Sequence, residues 1–102
     1  MTWGMTVDVA APVEMYDAIH AALLDRTGAS VEGLLVHIAR KTDSGFQVIE
    51  VWQSPAEYHR YAEEVLAPVL AELAGGHASA AGQNERPFDI RGLVLPPAGI
   101  AV

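Results

Sequence analysis

Residues 46–52, Phe-Gln-Val-Ile-Glu-Val-Trp, are separated by one residue from Ser54-Pro55-Ala56-Glu57. The first segment is dense in branched and aromatic residues and reads as a strand. The second reads as a helix start, with Ser54 as N-cap, Pro55 at the first helical position and Glu57 close to the capping-box site. A carboxylate, Glu50, therefore stands inside an apolar strand. The indole of Trp52 follows it, and Tyr58, His59 and Tyr61 lie just past the corner.

The rest of the chain organises around that corner. Trp3, Met5, Val7 and Val9 alternate with Thr2, Gly4, Thr6 and Asp8, the period of a strand with one apolar face. Pro12 suits a first helical position, and Tyr16, Ile19, Leu23 and Leu24 recur at helical spacing up to Gly28, so 13–27 reads as an amphipathic helix with His20 on its flank. Residues 33–40 read as a second strand, Asp43-Ser44-Gly45 as a turn and 46–52 as the third strand of a hairpin. The helix from Ser54 carries an apolar stripe through Tyr58, Tyr61, Val65, Leu66, Val69, Leu70 and Leu73. Pro68 removes one backbone donor from it and predicts a kink or split. Gly75 and Gly76 end it, residues up to 87 read as a loop, 88–95 as a last strand and 96–102 as a tail.

The order β-α-β-β-α-β is the α+β, ferredoxin-like arrangement, a four-stranded antiparallel sheet with two helices on one face. Two helices leave the other sheet face open, and that face should be polar in a monomer. Here both parities are apolar: Leu34, Val36 and Ile38 against Leu35 and Ala39, and Phe46, Val48 and Trp52 against Ile49 and Val51. Sheet-to-sheet pairing into a homodimer is the expected way to cover such a surface.

With that order, and a third strand ending Val51-Trp52 before Ser54, Pro55, Ala56 and Tyr58, the chain resembles the dimeric α+β barrel superfamily, and within it the small antibiotic biosynthesis monooxygenase-like proteins. Gln53 stands where that group often has Glu. The resemblance implies a homodimer and a hydrophobic small-molecule ligand. It also implies cofactor-independent oxygenation of an aromatic, polyketide-like substrate in a cavity between sheet and helices. The superfamily also hosts cyclisation, isomerisation and haem chemistry, so a cyclase, a haem binder or a non-catalytic ligand-binding dimer stand beside that expectation.

The residues themselves nominate a site. Glu50 shares a strand face with Phe46, Val48 and Trp52, where desolvation raises a carboxylate's pKa and makes it a general base; the plain alternative is an ion pair with Arg40 or Arg91. His37, mid-strand on the face of Leu35 and Ala39, is an acid or base near neutrality, or a hydrogen-bonded interface residue. Trp52 either lines the cavity, as the resemblance implies, or packs as core. Tyr16, Tyr58 and Tyr61 fall where hydroxyls can orient a substrate oxygen. His59 and Glu63, spaced i and i+4, offer metal or haem ligands, or form a surface pair beside Arg60 and Glu64. His77 is a loop residue that a lid would use.

Composition removes other classes. With 102 residues the chain is one domain that buries roughly 65% of its unfolded surface. A net charge of −7 opposes a phosphate backbone, which argues against a nucleic-acid partner. Cysteine is absent, so disulfides, thiolate metal sites and a Cys nucleophile are excluded. No basic residue precedes Arg26 and no run is long enough to span a bilayer, so the expectation is a cytoplasmic protein without a membrane partner. No phosphate-cradling glycine loop, nucleophile elbow or zinc spacing occurs, and neither cofactor nor metal is expected.

Overall fold

The computed structural model describes residues 2–28, 30–73 and 85–101. Strand β1 (Trp3–Val9) leads to helix α1 (Val13–Thr27), then to the hairpin β2 (Leu34–Lys41) and β3 (Phe46–Trp52). Helix α2 (Pro55–Tyr61) continues through a π-helical turn (Ala62–Leu66) into α3 (Ala67–Leu73), and β4 (Glu85–Asp89) completes the sheet. The order across the sheet is β2-β3-β1-β4, antiparallel throughout. This is an α+β, ferredoxin-like fold.

Register places the core. Met5 pairs with Glu50, Val7 with Val48 and Trp3 with Trp52, so one face of β1 and β3 carries every large apolar side chain of those strands that turns toward the helices. Met5, Val7, Trp52 and Tyr58 form the buried cluster, with Trp52 at 0% exposure. The other parity, Gln47, Ile49 and Val51 in β3 with Thr6 and Asp8 in β1, faces away. There Phe88 lies across Gly4, Ile38 is 51% exposed, and Arg40 Nε donates to Gln47, whose amide donates to Asp8.

Several local expectations are revised. In β2, Leu34 pairs with Trp52 but Val36 pairs with Val51, so Leu35 is bulged out of the ladder. A bulge inserts one residue and resets the parity beyond it. Leu34 therefore shares the helix-side face with His37 and not the outer face with Val36 and Ile38. Pro12 is the N-cap of α1 and not its first residue. Gly28 closes that helix in the left-handed region, φ 64°, donating its N–H to the Leu24 carbonyl. Leu24, placed on the apolar stripe, is exposed.

The split at Pro68 takes the form of the π turn. Proline has no N–H for the Glu64 carbonyl, and Ala67 N–H reaches back five residues to Ala62. The strand read over 88–95 is instead β4, from Glu85 to Asp89, with Val94–Leu95 in a separate short strand. Pro87 is tolerated inside β4 because that strand is an edge. Residues 96–101 are not a tail: Ile100–Ala101 pair with Val94–Leu95 across a 3-10 turn. Gly75, Gly76, His77 and the loop up to residue 84 lie outside the described residues.

Candidate active site

Ser54 caps α2 as its sequence implies, accepting the Glu57 N–H at 3.4 Å. The cap turns the chain at the end of β3, so that Tyr58 and Tyr61 stand over the face that carries Glu50. From the other side α1 lowers Tyr16 onto the same face. Between sheet and helices lies a partly open cavity of about 110 Å³. Its apolar wall includes Met5, Val7, Phe46 and Val48 from the sheet and Ile19, Leu23 and Leu70 from the helices. Glu50, His37, Tyr16, Tyr58 and Tyr61 bring the polar atoms.

Those polar atoms form a chain. Glu50, only 7% exposed, accepts from the Trp52 indole N–H at 3.1 Å through one oxygen and meets His37 Nδ1 at 2.7 Å through the other. A carboxylate only accepts, so Nδ1 carries a proton and His37 Nε2 is left as the acceptor of a neutral ring. The Tyr16 hydroxyl sits 2.8 Å from that Nε2. His20 Nδ1 lies 3.1 Å from the same hydroxyl. Trp52, Glu50, His37 and Tyr16 thus form a continuous sequence of donors and acceptors, and among the described residues every buried side-chain nitrogen and oxygen has a partner.

The charge of Glu50 reaches the surrounding phenols. Tyr16 is raised above an ordinary tyrosine, first by burial and then by the charges of Glu50 and Asp17. Tyr61 is pushed up to about 12, mainly by burial, with Glu50 and Tyr16 adding to it. Tyr58 rises further: burial dominates, and its hydroxyl donates to Glu85 at 2.9 Å, beside that carboxylate's charge. All three are held as neutral phenols, which are donors and not standing bases.

Of the residues nominated from sequence, Glu50, His37, Tyr16, Tyr58 and Tyr61 come together around one cavity, although Tyr16 and His37 are 21 positions apart in the chain. Trp52 does not line it. The indole is wholly buried behind Glu50, in edge contact with Tyr58 at 5.6 Å between ring centres. Glu50 is paired with His37, and Arg40 is engaged by Gln47. His59 is exposed and leans on the rings of Trp3 and Tyr58, and Arg60 reaches Glu32, not Glu64. Among the described residues no three His, Cys, Asp or Glu side chains converge as a metal site. His20 is a site residue that the sequence reading places only on a helix flank. Its signal is the i, i+4 spacing from Tyr16, an arrangement that lets two side chains of a helix meet.

No family model matches the sequence, and no curated protein matches it. The fold does match solved structures. Two crystal structures of SnoaB, a cofactor-independent oxygenase from Streptomyces nogalater, one of them a single-residue variant, align with TM-scores of 0.55 and 0.54 at 17% and 19% identity. Each alignment covers 93% of this chain and 95% of that one. At that identity the likeness is one of fold: this chain has the α+β, ferredoxin-like architecture that SnoaB has.

Proposed function

We propose that this chain is a cofactor-independent monooxygenase acting on a neutral, hydrophobic aromatic molecule with an acidic O–H or activated C–H, as aromatic polyketides carry. One observation carries the reading. The Glu50–His37–Tyr16 chain, a paired base behind a phenol, opens into a cavity whose other walls are apolar apart from Tyr58 and Tyr61. The fold shared with SnoaB, itself a cofactor-independent oxygenase, supports it.

In this reading the ligand's acidic hydrogen passes to the Tyr16 oxygen while Tyr16's own proton passes to His37 Nε2. Tyr16 begins and ends as a neutral phenol, which suits a group whose ionisation burial opposes. Glu50 faces the imidazolium and fixes its tautomer, and Trp52 holds Glu50 in place, so both are positioning residues. The ligand anion passes one electron to dioxygen, and the two radicals join through a C–O bond. The peroxide anion takes a proton back through Tyr16 to become a hydroperoxide. His37, through Tyr16, then removes the remaining C–H hydrogen as the O–O bond breaks, and that hydrogen joins the departing hydroxide as water. A methylene and O₂ become a carbonyl and H₂O, and the ligand supplies all four electrons.

Anthrone is a suitable probe, because its doubly activated methylene yields anthraquinone and water with one O₂. Oxygen uptake above the spontaneous rate, lost in Tyr16→Phe and His37→Gln, is the expected result. The cavity favours a second reading as well. Its volume of about 110 Å³ is a third of the smallest drug-sized pocket; being partly open, it would take roughly one ring of such a ligand and leave the rest at its mouth. Saturable quenching of tryptophan fluorescence by anthrone without oxygen uptake would replace the oxygenase with a non-catalytic ligand-binding protein. In either case we propose that a second copy covers the outer sheet face around Ile38, Ile49 and Phe88.

A further inference from the structure

The Tyr16 hydroxyl has one proton and two imidazole neighbours. His37 Nε2 is 2.8 Å away and His20 Nδ1 is 3.1 Å away. The two imidazole planes are within 6° of parallel at 5.8 Å, and each stacks against the Tyr16 ring. A phenol donates to one acceptor at a time: Nε2 of the neutral His37 ring accepts its proton, and once that ring is protonated its Nε2–H donates to the oxygen and leaves the phenol's hydrogen free to turn to His20 Nδ1. His20 differs from His37 in its surroundings. It does not line the cavity, it faces no carboxylate among the described residues, and it is half-buried on α1 one turn beyond Tyr16.

We propose that His20 is the proton outlet of this site: the residue that takes the ligand's proton from Tyr16 and hands it to water. The inference rests on the oxygenase reading and extends it. A proton kept on His37 stays one hydrogen bond from the ligand anion and returns to it before dissolved oxygen arrives. Passing it to His20 removes the acid from the cavity. The step balances: after the ligand's hydrogen has moved to Tyr16 and Tyr16's to His37, His37 Nε2–H returns a proton to the Tyr16 oxygen, Tyr16's other hydrogen moves to His20 Nδ1, and His20 Nε2–H releases a proton to water. The products are the ligand anion and hydronium.

Deuterium washout tests this without oxygen. Anthrone and the full-length chain are mixed anaerobically in D₂O, and replacement of the methylene hydrogens is followed by mass spectrometry. The wild-type chain should exchange them well above the buffer rate. His20→Gln, which keeps a partner for Tyr16, should exchange roughly tenfold or more slowly, at the low end of what one proton-transfer partner supplies. Its melting temperature should stay near wild type. His20→Ala should recover exchange on addition of millimolar imidazole, a readout that a packing role would not move. Wild-type washout in His20→Gln, or a folded His20→Ala that imidazole fails to rescue, overturns the outlet. A wild-type chain that exchanges no faster than buffer overturns the oxygenase reading itself.

Discussion

Replacing Glu50 by glutamine keeps shape and removes charge, and its consequences follow from the hydrogen bonds. The carboxylate accepts twice, from Trp52 Nε1 at 3.1 Å and His37 Nδ1 at 2.7 Å. An amide accepts on one atom only. If its oxygen keeps the indole, its NH₂ faces His37 Nδ1, which must then give up its hydrogen. The imidazole moves that proton to Nε2 and points a donor at the Tyr16 hydroxyl. A charge-assisted bond becomes a neutral one, a loss of about 1–2 kcal/mol, and no buried group is orphaned. For a domain of this size that lowers Tm by roughly 4–10 °C and leaves the chain folded. Turnover should fall far more, by about 10²–10⁴, the scale of a histidine base held in the wrong tautomer. Two assays separate the effects: oxygen uptake with anthrone, and ¹⁵N NMR of the imidazole nitrogens, which reports the tautomer without any substrate. Unchanged imidazole shifts in Glu50→Gln, or more than a third of wild-type turnover, would refute the argument.

Three other outcomes follow from the same structure. Gly45→Ala should cost about 3 kcal/mol or more, read as lost Tm or soluble yield, because an added Cβ collides with the Val9 carbonyl oxygen and falls 2.8 Å from the Ala11 nitrogen, both backbone. Stability should decline at alkaline pH. The folded pKa of Tyr61 is about 12 against an ordinary value of 10.0, so between those values the folded chain binds more protons than the unfolded one. Its contribution is complete below pH 10 and lost as pH rises toward 12; urea melts of Tyr61→Phe should show a shallower decline. Ile38→Lys places a charge on the outer sheet face, where Ile38 is already 51% exposed in the single chain. Light scattering should show a folded monomer, and an Ile38→Lys variant that stays dimeric at micromolar concentration would remove that face from the proposed interface.

What can be read from the sequence divides along physical lines. Parity within a strand is a local property, and so counting alone puts Glu50 and Trp52 on one face. Caps are local too, and Ser54-Pro55 and Gly28 set helix ends where their chemistry requires. Three features escape such reading. The bulge at Leu35 has no turn residue to announce it, and it alone decides that Leu34 joins the face of His37. Pro87 reads as a loop residue unless the strand is known to be an edge, which is a matter of sheet order. The meeting of Tyr16, His20 and His37 depends on how α1 lies over β2, and no spacing within either segment encodes that angle.

The bulge at Leu35 also bears on how the chain tolerates changes of length. Leu34 is opposite Trp52, Val36 opposite Val51 and His37 opposite Glu50, with Leu35 the unpaired member. Deleting Leu35 alone would leave all of these partnerships in place and turn β2 into a regular strand. Deleting a residue between His37 and Lys41 would instead exchange the two faces of everything beyond it. The strand thus has one position at which a codon can be gained or lost without displacing the imidazole. Homologous chains are expected to differ in length there sooner than anywhere else in the sheet.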